Sequence, residues 1–246
     1  MFQPCPDIPV KSQFTYCIPL KTGTTNIQRL LVRNTCSNLT ETKLSVPRIF
    51  YQLPRLSDFM KSKQNYTNYQ PVRDILTSDI GHALNVRHPF ARLASAYRQK
   101  FETNFYRKNF RMYKSYGQIM QRYDQLRGRN YTSEDKYIAS FESFLVMIAE
   151  SDPKNYNIHW KTFEQTCGPC NHNYNFISKT ETAELDSQYF SEKYIGVPTA
   201  VDTAYGGSTF YSKGMFEGLP KQLVDAIYAI YKRDFEMFGY SPKDNF

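Results

Sequence analysis

The chain has 246 residues, with 31 lysines and arginines against 23 aspartates and glutamates, for a formal charge of +8. Apolar residues make up 41% and charged residues 22%, the balance of a folded globular chain and not of a disordered one. The longest unbroken apolar run, Phe144 to Ala149, is six residues, where a membrane span needs about 20. Met1 to Lys11 hold no apolar segment of a secretory leader. An integral membrane protein is therefore not expected, and any membrane attachment would run through an anchor absent from this chain.

In chain order, Phe14 to Pro19 is rich in aromatic and β-branched residues and predicts a short buried strand. A loop follows, Lys21-Thr22-Gly23-Thr24-Thr25, and then Ile27, Leu30 and Leu31 recur at helical spacing. Strand, small-residue loop and helix together present backbone N–H groups to an anion at a helix N-terminus. Ala83 to Val86 predicts a second strand, ending at Arg87-His88-Pro89, with Pro89 suited to the first helical position. Phe90, Leu93, Tyr97 and Phe101 form an apolar stripe that leaves Arg92, Ser95 and Gln99 on another face. A guanidinium at the strand tip and a hydroxyl eight residues on can hold one phosphate.

The excess charge is concentrated. Arg87 to Arg129 contains eleven basic residues and two acids, Glu102 and Asp124. This predicts either a polyanionic partner, such as nucleic acid, an acidic glycan or anionic lipid, or a solvated basic face. The span from Asn104 to Asp135 is Tyr-rich and reads as helix with loops. Phe141, Phe144, Leu145 and Ile148 mark another helix, Tyr174 to Ile177 a strand, and Pro220 opens a helix with Leu223, Ile227, Ile230 and Tyr231 inward. Strands alternating with helices, with no repeat or linker, predict one α/β domain over residues 1–246 with a mainly parallel sheet.

Three Asn-X-Ser/Thr sequons, at Asn38, Asn65 and Asn130, favour a lumenal or extracellular setting. There, Cys5, Cys17, Cys36, Cys167 and Cys170 would allow two disulfides and one thiol, with the pairing open. Cys167-Gly168-Pro169-Cys170 also has the spelling of a redox dithiol, and these cysteines with His159 and His172 are a candidate zinc set. The strand-like segment that follows and the lumenal reading favour disulfides over both.

The Lys21 loop is not a Walker A motif, because its lysine precedes the glycine. Ile18 to Asn26 instead resembles the 5′-phosphosulfate loop of Golgi carbohydrate sulfotransferases. Asn85 to Phe101 resembles their 3′-phosphate segment. His159-Trp160, Cys167 to Cys170 with Tyr174 to Thr182, and Asp234 to Ser241 match later blocks in order. The subgroup resembled includes the chondroitin, dermatan and HNK-1 enzymes. Leu20, Ser178 and Asn175 depart from its pattern, standing where proline, glycine and aspartate are common.

The resemblance implies a P-loop-like sulfotransferase fold, a central mainly parallel sheet flanked by helices. It implies the donor 3′-phosphoadenosine 5′-phosphosulfate (PAPS), no metal, and transfer to a sugar hydroxyl of an acidic, chondroitin-like glycan in the Golgi lumen, with position 4 of N-acetylgalactosamine as the acceptor. Lys21 would be the catalytic cation, and Lys21, Thr22, Gly23, Thr24, Thr25 and Asn26 the 5′-phosphosulfate site. Arg87 and Ser95 would bind the 3′-phosphate, with Lys179 and Glu181 beside the nucleotide. His159 is the candidate general base or, alternatively, a structural histidine beside Trp160. His88 would orient the arginine segment. The competing readings are an inactive secreted glycan-binding protein of the same fold and a nucleic-acid-binding protein, the latter disfavoured by the sequons and by the lack of a binding motif.

Overall fold

The computed structural model describes residues 14–35, 81–102, 111–129, 138–201 and 213–244. The three sequons, Cys5 and Cys36 lie outside the described residues. In chain order the main elements are β1 (Phe14–Cys17), α1 (Thr24–Thr35), β2 (Gly81–Val86), α2 (Pro89–Tyr97), α3 (Arg111–Leu126), α4 (Phe141–Glu150), α5 (Phe163–Cys167), β3 (Phe176–Lys179), α6 (Ala183–Phe190) and α7 (Lys221–Met237). They gather into two compact units, one within residues 1–86 and 167–207, the other within 87–166 and 208–246.

In the first unit, β1 and β3 flank β2, and both pairings are parallel. Phe14 lies opposite Gly81, and Asn85 opposite Ser178. All six residues of β2 are buried, as expected of a central parallel strand with both faces covered. Ile27, Leu30 and Leu31 of α1 pack with Phe14, Tyr16, Ala83, Phe190 and Tyr194 in one core, so the helical spacing of the sequence is realised. The β2 strand begins at Gly81, two residues before the predicted Ala83. A Cβ there would lie 2.1 Å from the Tyr194 ring, so only glycine lets that aromatic cover the strand. The Cys17–Cys167 disulfide ties the end of β1 to α5, with Cα atoms 6.1 Å apart.

The second unit is helical. Phe90, Leu93 and Tyr97 of α2, Phe144, Leu145 and Ile148 of α4, and Ile227, Tyr231 and Phe235 of α7 surround the fully buried Trp160. Ser140 caps α4, its Oγ accepting the Ser143 N–H at 3.0 Å. Buried Asp124, on α3, joins the two helices: it accepts from Arg129 (2.7 Å), from the Ser140 hydroxyl and N–H, and from the Ser143 hydroxyl. Tyr123, Arg127 and Arg129 also bond Glu142.

Two readings are refined. Arg92, which the apolar stripe leaves on another face with Ser95 and Gln99, is itself buried at 2% exposure, its guanidinium 4.9 Å over the Phe163 ring and donating to the Lys161 carbonyl. Helical periodicity scores arginine as polar, whereas its stem and planar head pack well against an aromatic ring. The third strand runs two residues later than predicted, over Phe176–Lys179, because the Tyr174 hydroxyl turns to the Cys167 carbonyl at 2.7 Å.

Nearby, the Asp234 carboxylate accepts the Phe163 N–H at 3.0 and 3.1 Å and is 1% exposed. Burial, its dominant influence, raises its pKa to about 6, against the lowering effects of that N–H and of Arg92. A folded-state value above the unfolded one means the native state holds the proton longer, so this group's contribution to stability falls as pH rises through about 4 to 6. The stability of wild type minus that of Asp234→Asn is expected to fall by about 3 kcal/mol between pH 4 and 7, measured by urea unfolding at each pH. A pH-independent difference would refute the shift.

Candidate active site

The three parallel strands end together at Cys17, Val86 and Lys179, and ligands of open parallel sheets bind at that edge. The loop after β1 is shaped from within. The hydroxyls of Thr22 (2.7 Å) and Thr24 (2.9 Å) both donate to the Pro19 carbonyl, while Asn85 of β2 donates through Nδ2 to the Thr22 carbonyl. Each threonine hydroxyl has one proton, and in this arrangement it is directed into the loop. The other donor-bearing groups of this loop are its N–H groups, the half-buried Thr25 and Asn26, and the half-buried Lys21 with its ammonium. The Asn26 and Ile27 N–H groups already bond the Gly23 carbonyl, which starts α1.

Lys21 has φ +72°, the only positive value at a non-glycine among the described residues. Left-handed backbone costs an L-residue about 1–2 kcal/mol, and strain of this kind collects where a side chain must be aimed. Gly23, at φ +71°, meets the same requirement with the residue suited to it. A Cβ at Gly23 would lie 3.8 Å from Thr180, so the constraint there is conformational and not one of space. Thr180 donates to the Val86 carbonyl at 3.0 Å, and the Lys179 N–H to Asp186 at 2.7 Å. These bonds place the turn after β3, with the half-buried Lys179, on the same sheet edge as the loop.

Arg87, His88, Ser95 and His159 belong to the second unit. Arg87 is 6% exposed. Eight of the nine residues of α2 are buried, and the exception is the half-buried Ser95. The α2 N-terminus has Pro89 in its first turn, no acidic residue and no side-chain cap, a favourable end for an anion. His88 is buried among Phe90, Phe235 and Tyr240, and its Nε2 donates to the Ser241 carbonyl at 2.9 Å. This bond ties the residue next to Arg87 to the Ser241 backbone.

His159 is buried to 9% exposure, and its Nδ1 is 2.5 Å from Asn157 Oδ1, which also accepts the His159 backbone N–H at 3.1 Å. An amide oxygen only accepts, so Nδ1 carries the proton, and in the neutral ring Nε2 is the basic nitrogen, the tautomer a general base needs. Asn157 had no assigned role in the sequence, although Asn-x-His spacing is the signal that would have found it.

The basic stretch is not a continuous charged surface. Arg87, Arg92 and Lys100 are buried, Arg98 pairs with Glu102, and Arg127 and Arg129 pair with Asp124 and Glu142. Burial also lowers the Lys100 pKa. Arg122 is exposed, and the side chains of Arg107, Lys108, Arg111 and Lys114 lie outside the described residues. Cys167 is bonded to Cys17, so it is neither half of a Cys167–Cys170 dithiol nor a thiolate ligand for zinc. Among the described residues, no group of three or more His, Cys, Asp or Glu gathers for a metal ion, and no helix is long and apolar enough to cross a membrane.

A strand–loop–helix unit at the edge of a parallel sheet, with an arginine directly after the central strand, is the arrangement expected of a sulfotransferase. The model of the Sulfotransferase family matches residues 8–241, and the chain belongs to that family. It is similar to carbohydrate sulfotransferase 11 of Mus musculus, 28% identical over 248 residues covering 93% of this chain and 65% of the mouse protein. Carbohydrate sulfotransferase 10 of Gallus gallus is 28% identical over 256 residues, covering 95% of this chain and 66% of that protein. Carbohydrate sulfotransferase 14 of Danio rerio is 31% identical over 186 residues, covering 68% and 47%. The chain thus spans just under two thirds of the length of the first two relatives. No solved structure matches it.

Proposed function

We propose that this chain catalyses transfer of the sulfuryl group of PAPS to a sugar hydroxyl of an acidic glycan. The observation that carries the reading is Lys21, held at φ +72° at the C-terminal edge of three parallel strands in a chain of the Sulfotransferase family. Sulfuryl transfer, like phosphoryl transfer, is an in-line displacement dominated by positioning and charge stabilisation. The acceptor oxygen forms its bond to sulfur as the bond from sulfur to the 5′-phosphate oxygen breaks. Lys21 neutralises the charge growing on that oxygen, and the N–H groups of residues 22–25, with the Thr25 hydroxyl and the Asn26 side chain, hold the 5′-phosphate. His159 Nε2 takes the proton of the acceptor hydroxyl. Arg87 and Ser95 hold the 3′-phosphate, and Lys179 lines the nucleotide site.

The subgroup resemblance supports a chondroitin-like acceptor, sulfated at position 4 of N-acetylgalactosamine. The relatives' names support a carbohydrate acceptor in general. The Cys17–Cys167 disulfide supports an oxidising compartment such as the Golgi lumen.

The donor reading is tested by thermal unfolding with 3′-phosphoadenosine 5′-phosphate or ADP. The former is expected to raise the midpoint by several degrees more than ADP at equal concentration. Equal shifts, or none, would overturn the donor assignment. Arg87→Ala is expected to weaken 3′-phosphoadenosine 5′-phosphate by about 10- to 100-fold, the weight of a charge-assisted hydrogen-bonded pair, and to leave ADP unchanged. Arg87→Lys keeps the charge without the guanidinium fork and should fall between the two. Calorimetric titration reads all three, and equal nucleotide affinity in folded Arg87→Ala would remove the role.

A further inference from the structure

We propose that Tyr16, Ser178 and Asn85 form a hydrogen-bonded relay across the three strands that sets the orientation of the Thr22–Gly23 peptide and so positions the donor loop. The loop's ligand rests on the functional reading above; the relay itself rests on hydrogen bonds within the first unit. Ser178 Oγ donates to Asn85 Oδ1 at 2.5 Å. An amide oxygen only accepts, so the single Ser178 proton is committed there, and Ser178 must accept from the Tyr16 hydroxyl, also 2.5 Å away. The asparagine amide is thereby held with its oxygen toward β3 and its Nδ2 toward the Thr22 carbonyl. The direction runs one way from β1 through β3 and β2 to the loop.

The relay is dry: Tyr16 is 2% exposed, Ser178 3%, Asn85 1% and Thr22 0%. Hydrogen bonds in such surroundings are strong and orient one another. Burial also holds the Tyr16 hydroxyl pKa well above its ordinary range, so it stays a neutral donor. The Thr22–Gly23 bond is trans, as are all described peptide bonds. In a trans peptide the C=O and N–H point in opposite directions. Fixing the Thr22 carbonyl on Asn85 therefore turns the Gly23 N–H away from Asn85, as a donor for an anion seated on the loop. Ser178 and Tyr16 are positioning residues: they act on the ligand only through Asn85 and the loop.

The test uses Ser178→Ala, Tyr16→Phe and the double variant. The first readout is amide hydrogen exchange of the ligand-free protein. Ser178→Ala is expected to speed exchange across residues 20–24 by about tenfold, the weight of one hydrogen bond, with β2 amides unchanged. Tyr16→Phe should do so less, and the double variant should be no faster than Ser178→Ala, because the members act in series. The second readout is affinity for 3′-phosphoadenosine 5′-phosphate, expected to fall by about five- to tenfold in Ser178→Ala. Should Ser178→Ala fail to fold, Tyr16→Phe carries the comparison. Unchanged loop exchange in the folded variants, or additive effects in the double variant, would overturn the relay. A wild type that ignores the nucleotide while its variants show the exchange pattern would overturn the donor reading and uphold the relay.

Discussion

Lys21→Ala is expected to lower the rate of sulfuryl transfer by about a thousandfold, the upper range for removing a group that stabilises transition-state charge. The loss should fall on kcat more than on KM, because the charge on the leaving oxygen develops only as the bond to sulfur breaks. Stability should move little or improve. Lys21 occupies left-handed backbone at φ +72°, and Lys21→Gly relieves that strain at the cost of a looser unfolded chain, a net gain of about 1 kcal/mol. A variant that is more stable and inactive separates a site residue from a structural one. Steady-state kinetics and urea unfolding of the two variants check both halves. Turnover within tenfold of wild type would remove Lys21 from the chemistry.

Asp124→Ala is expected to cost about 3–5 kcal/mol of stability, the range for removing one partner from a buried charged network. Its carboxylate is fully buried and receives the Ser140 N–H and hydroxyl, the Ser143 hydroxyl and Arg129. Losing it removes the shared acceptor of the Ser140 N–H, the Ser140 hydroxyl and the buried Ser143 hydroxyl at the start of α4, the helix that supplies Phe144, Leu145 and Ile148 to the second unit's core. Glu142→Gln should cost about 1 kcal/mol or less, because its partners Arg127 and Arg129 are substantially exposed. Urea unfolding distinguishes the two. A loss below that of Glu142→Gln would show that the network does not hold α3 to α4.

The helices were legible because their signal is local. Ile27, Leu30 and Leu31, or Phe90, Leu93 and Tyr97, repeat at the helical period and are buried as that period requires. Pro89 marked the start of α2, and Ser95 emerged as the single half-open position of that helix. What escaped the sequence depends on partners far along the chain. Arg92 looks polar until Phe163 lies beneath its guanidinium. Five cysteines allow many pairings, and the bond from Cys17 at the end of β1 to Cys167 joins residues 150 apart in sequence, beyond the reach of any local pattern. Ser178 reads as a departure from a family pattern, whereas its meaning lies in the two strands beside it, through Tyr16 and Asn85.

Net charge was the most misleading local signal. The stretch from Arg87 to Arg129 suggests a surface, yet six of its eleven basic side chains are buried or paired with carboxylates. Much of its charge therefore serves the fold and the proposed 3′-phosphate site. Exposed Arg122 is the described basic side chain of the stretch left for an acidic glycan to meet.

The most direct measurement is sulfate incorporation from labelled PAPS into a panel of desulfated glycans, with wild type and Lys21→Ala side by side. The account predicts label in an acidic glycan, highest in desulfated chondroitin at position 4 of N-acetylgalactosamine, and about a thousandfold less with the variant. Folded wild type that binds 3′-phosphoadenosine 5′-phosphate yet labels no glycan, or labels it equally well without Lys21, would contradict it.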